Sequence, residues 1–506
     1  MSYYTQSIPP VRDQRLTIGD SFAGCGCDLL DCAKSGCLLQ KNRRFWQAGS
    51  CQMALTLMMA ATVENAVIIM HGPVGCGSQL HSLTPPTNKG KAARGKAPRA
   101  FPWLSTNLRE ADVIGGGERK LRETIAYADR RFRPEIIFVV STCAPNIIGD
   151  DVEEVVRSMQ PEVTAYIASI HCPGFKTRVV ASAYDSFYHG LLSHIPFTPE
   201  PWRDFVPFAA GDPNVELARK KYEYRKSRTI NLFNATSIGP VDEREMERLL
   251  DALGLTVRVY TEYSSLDEFR LMSEAALNVS LCNVHDDYLL SYLKEKFDIS
   301  YVIAGMPIGT QGTREWLVSV AAHFGLEEQA HRLCDDEEKQ LEKALDPLLP
   351  ELRGKRTLLC GGVIRVGQEA LTLQSLGMEI LAVRAYHYDT GAEPVYDALA
   401  AEMPEVPIAI SNQLFEQVNQ VRRYRPDIVI SHAGTQGWLA KMGVPSIQLF
   451  NVDKPYFGYT GLYSLAKRLL FALKNPSYQQ RLAEHIRLPY KESWYDREPF
   501  HYIKGL

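Results

Sequence analysis

The chain carries no surplus of positive charge: 56 Lys and Arg stand against 59 Asp and Glu, for a formal net charge of -3. Without a bulk positive field, neither nucleic acid nor an anionic membrane surface is an expected partner. No apolar segment is long enough to span a bilayer, because Glu64 and Asn65 split the most apolar run, residues 53–70, into a helix-like and a strand-like half. The amino terminus lacks a basic stretch followed by an apolar core, so no secretory signal is read and a reducing, cytoplasmic setting is expected. No Gly-x-x-x-x-Gly-Lys-Ser/Thr is present, which excludes a P-loop nucleotide site in this chain. No two cysteines are spaced Cys-x-x-Cys, so spacing alone identifies no metal. Glycine and proline, at 35 and 29 residues, are at ordinary globular levels, and fibrous or low-complexity classes fall away.

What is present is a chain of 506 residues, long enough for about three domains with substantial cores. It has 11 cysteines, an odd number, with five between Cys25 and Cys51. In a reducing setting these read as thiols or metal ligands, and the crowding favours iron–sulfur or zinc chemistry over a disulfide framework. The cluster Cys25-Gly26-Cys27, Cys32 and Cys37 reads either as an addition to an electron relay or as unused thiols of an extension.

From about residue 50, short β-branched or apolar runs alternate with helical patterns, the signature of βαβ units and parallel sheets. Strands are expected at 66–70, 135–141 and 163–169 in a first block. A second block holds 228–233, 256–261, 277–282 and 300–304, and a third holds 356–360, 379–383, 407–410, 427–431 and 446–450. Polar linkers are expected near 210–228 and 346–356, and an exposed basic loop at 85–99. The implied bounds are 1–50 for a Cys-rich N-terminal extension, 51–215, 216–350 and 351–450 for three α/β domains, and 451–506 for C-terminal helices packing back on the first domain.

In open parallel sheets, ligands bind beyond the carboxyl ends of the strands. That edge carries Cys76 in a glycine-rich turn, Cys143, Cys282, Cys360-Gly361-Gly362 and His432. Three blocks directing such ends at a common centre would enclose a thiol-rich pocket between domains. Thiolates are the soft ligands of iron–sulfur clusters, although a lone cysteine is more often a small buried hydrophobe. Gly115-Gly116-Gly117 reads as a tight turn feeding a helix near Glu118.

Three motifs carry a family resemblance. His71-Gly72-Pro73-Val74-Gly75-Cys76-Gly77, then Ile114-Gly115-Gly116-Gly117-Glu118-Arg119-Lys120-Leu121, then Ser141-Thr142-Cys143-Ala144-Pro145-Asn146-Ile147-Ile148-Gly149-Asp150-Asp151 resemble, in this order, the catalytic component of nitrogenase and its relatives, over about residues 45–475. The resemblance implies an α/β fold of three Rossmann-like domains with parallel sheets around a central metallocluster site. It implies that Cys51, Cys76 and Cys143 ligate one side of a P-cluster-type 8Fe-7S iron–sulfur cluster shared with a homologous β-type subunit in an α2β2 heterotetramer. Asn278-Val279-Ser280-Leu281-Cys282-Asn283 resembles the α-type segment whose cysteine holds the active-site cofactor. Cys282 is therefore the implied ligand of a nitrogenase-type, Fe8S9C-like cofactor of unassigned heterometal, with Gly361 and Gly362 lining it. Electrons would come from a homodimeric, ATP-dependent iron protein with a 4Fe-4S cluster, so ATP is used on that partner only.

The departures shape the expected activity. Gly443-Val444-Pro445 leads to Ser446-Ile447-Gln448-Leu449-Phe450 without the family's cofactor histidine, and none follows until His485. After Cys172-Pro173-Gly174-Phe175-Lys176, Val180 and Tyr184 stand where the family has a glutamine and a histidine. Dinitrogen reduction is not expected, and the pattern looks most like methylthio-alkane reductase, which cleaves a carbon–sulfur bond of small volatile organic sulfur compounds to release methanethiol and a hydrocarbon. His387 and His432 are candidate second ligands. With Tyr184 and His171 they are also candidate proton donors. Phe450, Tyr184 and Val180 predict an apolar pocket. A cofactor-assembly scaffold and a tetrapyrrole reductase are the alternatives.

Overall fold

The computed structural model describes residues 4, 6–15, 18–19, 22–36, 51–177, 179–196, 214–233, 240–282, 284–411, 414–431, 436–448, 454–488, 491–495 and 497. Two short N-terminal strands, β1 (Ile18–Gly19) and β2 (Phe22–Gly24), precede three sheets. The first is wholly parallel, with β3 (Ala66–His71), β4 (Trp103–Ser105), β5 (Ile136–Ser141) and β6 (Tyr166–His171) in the order β4-β3-β5-β6. Every residue of β3 and β5 is buried, as expected for a parallel sheet covered on both faces. Alternate side chains divide between the faces. Ile68, Met70, Phe138 and Val140 join the core under helices Gln52–Thr62 and Ser182–His194, whereas Val67, Ile69, Ile137 and Val139 join the core under Glu118–Phe132 and Val152–Met159.

The second sheet repeats the pattern with β7 (Thr229–Phe233), β8 (Thr256–Tyr260), β9 (Leu277–Ser280) and β10 (Ser300–Ile303), in the order β10-β9-β7-β8. The third contains β11 (Arg356–Gly361), β12 (Glu379–Ala385), β14 (Ile408–Ile410), β15 (Ile428–Ser431) and β16 (Ser446–Gln448), while β13 (Tyr388–Asp389) pairs antiparallel with β1. Its order is β16-β15-β11-β12-β14-β2, with β2 antiparallel. Each sheet therefore has a point where the strand order reverses: between β3 and β5, between β7 and β9, and between β11 and β15. Crevices outside the carboxyl ends at such points are where doubly wound sheets bind ligands.

Every strand expected from the sequence forms, with ends shifted by a few residues. The short strands β1, β2, β4 and β13, of two or three residues each, are not expected from the sequence. The expected basic loop at 85–99 is a helix as far as Ala93, with Pro85 and Pro86 inside it. Tertiary packing overrides the prolines: Arg94 pairs with Glu243 and stacks over the Tyr263 ring at 4.0 Å, and a Cβ on Gly90 would lie 2.0 Å from the Tyr263 hydroxyl. Residues Asn214–Lys226 of the expected linker are also helical, but only Tyr222 among them is buried, leaving no apolar stripe to read. The C-terminal helix Gly458–Lys474 does not pack back on the first sheet's layer; its main partners are helices Pro240–Asp251, Gly309–Ala322, Glu327–Leu345 and Leu349–Leu352 and strands β15 and β16, on the second and third sheets. It does so because its apolar face, including Leu462, Leu465, Ala466 and Leu469, completes the core those sheets share. Among the described residues, no helix is long and apolar enough to cross a membrane.

The N-terminal extension is built into the fold. β2 lies against β14, and a Cβ on Gly26, in helix Gly26–Lys34, would lie 2.8 Å from Ala400 Cβ. Cys25 caps that helix by accepting from the Asp28 amide, and Cys27 is exposed. Cys32 departs from the free-thiol expectation in being disulfide-bonded, and Cys37 lies outside the described residues. Upstream, the Arg12 side chain is 0% exposed and meets one carboxylate near each sheet: Asp185 at 2.8 Å, Asp287 at 3.1 Å and Asp389 at 3.5 Å. Arg15 adds pairs to Asp185 and Asp287. Burial by itself would favour loss of the Arg12 proton, but the three carboxylates outweigh it and hold the guanidinium charged.

Arg12→Met should strand three carboxylates around an apolar side chain and lower stability by about 3–5 kcal/mol, read as a fall in the urea unfolding midpoint. Arg15→Met should cost less, because Arg12 still neutralises the group. Equal, small effects would show that the shared ion cluster is not what joins the sheets.

Candidate functional site

The three motifs of the first sheet meet at one carboxylate. Asp150 Oδ2 lies 3.0 Å from His71 Nε2, and its Oδ1 accepts from the Gly117 amide at 2.9 Å. The other ring nitrogen of His71 lies 3.1 Å from Thr106 Oγ1. A Cβ at Gly117 would lie 2.5 Å from Asp150 Oδ2 and 2.9 Å from the His71 ring, so the glycine is required by close approach. Gly117 is also the N-cap of helix Glu118–Phe132, in agreement with the expected turn. This knot fixes the carboxyl ends of β3 and β5 against each other, and the thiol-bearing turns leave from there.

Cys76 sits in the 3₁₀ turn Val74–Gln79 after β3, Cys143 opens helix Cys143–Ile148 after β5, and Cys51 is the N-cap of helix Gln52–Thr62. All three are partly exposed. A Cβ on Gly174 would lie 2.5 Å from Cys51 Sγ and 3.8 Å from Cys143 Sγ, so both thiols flank one glycine. Burial raises the Cys51 and Cys76 thiols, and the proximity of Cys143 raises both further. Sequence reasoning gave no role to Cys172, a fourth thiol beside Cys51. It is fully enclosed, lies 3.0 Å from Thr56 Oγ1, and is pushed up to about 12 by burial. Among the described residues, no three or more His, Cys, Asp or Glu side chains converge closely enough to hold a single metal ion. The thiols border a face instead of meeting at a point.

Cys282 is at the second reversal point, two residues beyond β9, and is separate from that face. It is fully enclosed, and burial pushes its thiol up to about 12. Its amide donates to Ser280 Oγ at 3.0 Å, which also donates to Asp286 at 2.5 Å. Arg365 and Arg12 act on it electrostatically. Arg365 lies on helix Val363–Ser375, whose N-cap is Gly362, directly after Gly361 at the end of β11; a Cβ on Gly362 would meet open space. His285, which the sequence reading passed over, stacks on Tyr184 with ring centroids 4.2 Å apart. Its position three residues after Cys282 was the available signal. His387 acts on His285 electrostatically, and its Nε2 is shut off from solvent without a hydrogen-bond partner. Burial, then Arg12, pushes His387 down to about 4, and the same two causes, in that order, hold His285 well below its usual range. Both imidazoles are neutral at pH 7.

The remaining expected residues divide. His171 is engaged elsewhere, its Nε2 2.8 Å from Glu153 in a group with His194 and Ser169. His432 and Phe450 lie outside the described residues. His285, His387, Arg365 and Arg12, which act on one another or on Cys282 electrostatically, come from segments whose convergence no local pattern shows.

Asp286 supplies a pH signature. It is fully buried, accepts from Tyr188 at 2.7 Å as well as from Ser280, and burial raises it to about 7. The folded chain thus keeps a proton that the unfolded chain releases above about pH 4, so this group's contribution to stability falls as pH rises from about 4 to 7. Asp286→Asn cannot ionise. Its thermal midpoint relative to the native chain should rise across that range and level off above it, whereas a constant difference would show the carboxylate ionised throughout.

Residues 51–474 match the model of the nitrogenase component 1 type oxidoreductase family. The chain is 24% identical to the nitrogenase molybdenum-iron protein alpha chain of Methanothermobacter marburgensis over 453 residues, covering 87% of this chain and 89% of that one. It is also 24% identical to the nitrogenase iron-molybdenum cofactor biosynthesis protein NifE of Rippkaea orientalis over 438 residues, covering 85% of each. The solved structure of nitrogenase Cp1 at pH 5 superposes with a TM-score of 0.67 at 22% identity, over 89% of this chain and 93% of that one. Sheet topology, motif order and family match agree, and the chain belongs to the nitrogenase component 1 type oxidoreductases.

Proposed function

We propose that this chain is the catalytic α-type subunit of a nitrogenase-like reductase that cleaves carbon–sulfur bonds of methylthio-alkanes. The observation that carries the reading is Cys282, a fully enclosed thiol just beyond the end of β9 at a sheet reversal point, on which Arg365 and Arg12 act electrostatically. His387 Nε2 is also buried without a hydrogen-bond partner, and an unsatisfied buried polar atom is costly, which supports a bound group near the imidazole pair His285 and His387. Cys282 would anchor an iron–sulfur cofactor there, with Gly361 and Gly362 leaving room for it. Cys51, Cys76 and Cys143 border a face that also exposes Val74, Ile147 and Phe175, which suits an iron–sulfur cluster completed by a homologous β-type subunit in an α2β2 assembly.

The cofactor supplies metal-centred reduction with electrons from an ATP-dependent iron protein. This chain's residues exclude water, hold the cofactor and deliver protons. Cleaving one carbon–sulfur bond to methanethiol and a hydrocarbon takes two electrons and two protons. His285 and His387, both neutral at pH 7, are suited to pass protons inward, with Tyr184 stacked to fix the His285 ring. Arg365 offers positive charge to a departing thiolate. The domain bounds 51–215, 216–350 and 351–450 and a cytoplasmic setting are part of this reading. A cofactor-assembly scaffold is the second reading, favoured by the equal identity to NifE.

The purified complex, given iron protein, ATP and reductant, should form methanethiol and hydrocarbon from small thioethers with little ammonia from dinitrogen. Cluster binding without turnover would favour the scaffold. Cys282→Ala should abolish product and lose cofactor iron while retaining the iron bound at the first-sheet thiols. Cys76→Ala should instead lose that iron first and loosen the subunit contact. Loss of the same iron from both variants would sink the two-site reading.

A further inference from the structure

Two helices start at thiols and end together at the opposite edge of the first sheet. Gln52–Thr62 is capped by Cys51, and Leu80–Ala93 continues from the turn that carries Cys76. Their carboxyl ends, with that of Glu118–Phe132, border a cavity of about 100 Å³ whose lining includes Val63, Asn65, Lys91, Arg99, Phe132 and Arg133. Three of the lining side chains are cationic and none is acidic.

Lys91 is 7% exposed, and its Nζ reaches the Arg99 carbonyl oxygen at a long 3.4 Å. Glu64, which acts on Lys91 electrostatically, makes its ion pair with Lys96 at 3.3 Å, and Glu135 takes the Asn65 amide at 3.1 Å. Arg99 and Arg133 are exposed and have no carboxylate partner among the described residues. A helix carboxyl end attracts cations, but backbone amides already cap this one, with Lys96 N on the Lys91 carbonyl at 2.9 Å and Gly95 N on that of Ala92 at 3.1 Å. The Lys91 ammonium is therefore not needed as a cap. A buried ammonium without a direct ion pair is unfavourable, and burial lowers its pKa, with Glu64 opposing and Arg99 and Lys96 adding to the shift.

We propose that this cavity binds a small dianionic oxyanion of phosphate or sulfate size, held by Lys91 at its floor and by Arg99 and Arg133 at its mouth. The ion would join the ends of the two helices whose starts carry Cys51 and Cys76, at the far side of the sheet from the thiols. It is independent of the metallocluster reading, because none of its residues belongs to that site.

The test is thermal unfolding of the full-length protein, in the complex in which it is isolated, titrated with inorganic phosphate at ionic strength fixed with sodium chloride. The midpoint should rise saturably with phosphate or sulfate and not with chloride, as expected for a ligand that binds only the folded state. Arg99→Gln with Arg133→Gln, both at exposed positions, should weaken the apparent affinity by about tenfold or more. Lys91→Met should raise the phosphate-free midpoint by removing an unpaired buried charge, and should abolish the phosphate response. Equal midpoints in phosphate and chloride, unchanged affinity in the double variant, or a lowered phosphate-free midpoint in Lys91→Met would each overturn the site. Tighter binding of a nucleoside triphosphate than of phosphate would overturn the small-ion assignment.

Discussion

One buried guanidinium sets the geometry on which the rest depends. Removing a charge from water costs several kcal/mol, and Arg12 is tolerated in the interior because Asp185, Asp287 and Asp389 close around it. Each carboxylate sits next to a residue of the Cys282 enclosure in the sequence. Asp185 follows Tyr184, Asp287 follows His285 by two positions, and Asp389 follows His387 by two. The ion cluster therefore fixes the chain segments that carry Tyr184, His285 and His387 relative to one another. It also ties the N-terminal extension into the folded body.

The sheets contribute to the site by a common rule. Each reverses its strand order once, and at each reversal the carboxyl ends leave a crevice: Cys76 and Cys143 at the first, Cys282 at the second, Gly361 and Gly362 at the third. The two thiol sites differ in solvent access. The first-sheet thiols are partly exposed beside apolar side chains, as an interface for a second protein requires, while Cys282 is sealed within the apolar core that the second and third sheets share. An outward-facing set suits groups that exchange electrons with a partner, and a sealed one suits bond chemistry from which water is excluded.

Much of the fold was legible because β3, β5 and β15 are nearly continuous apolar runs, the form that strands buried on both faces take. The thiols were legible as residues because glycines and strand ends surround them. The joining interactions were not. Asp150 is 79 residues from His71, and nothing local to either marks the pair. Arg12 resembled an ordinary N-terminal arginine, since its partners lie in three separate elements. Lys91 and Arg99 sat in a basic segment that reads as solvated until a helix carrying two prolines turns them into a cavity. Periodicity reports which face is buried, whereas polar convergence is a property of the closed chain.

The span of the Arg12 contacts bears on the order in which the protein is made. Chains emerge amino end first and fold unit by unit during synthesis. Arg12 leaves the ribosome early, before Asp185 and long before Asp389, and β1 and β2 wait in the same way for β13 and β14. Throughout that interval the segment's charges and strand edges have no place to go. The extension is thus translated ahead of the strands it joins and seated after them, and a chain cut short before residue 389 lacks both the third carboxylate of the Arg12 cluster and β14, the strand against which β2 lies.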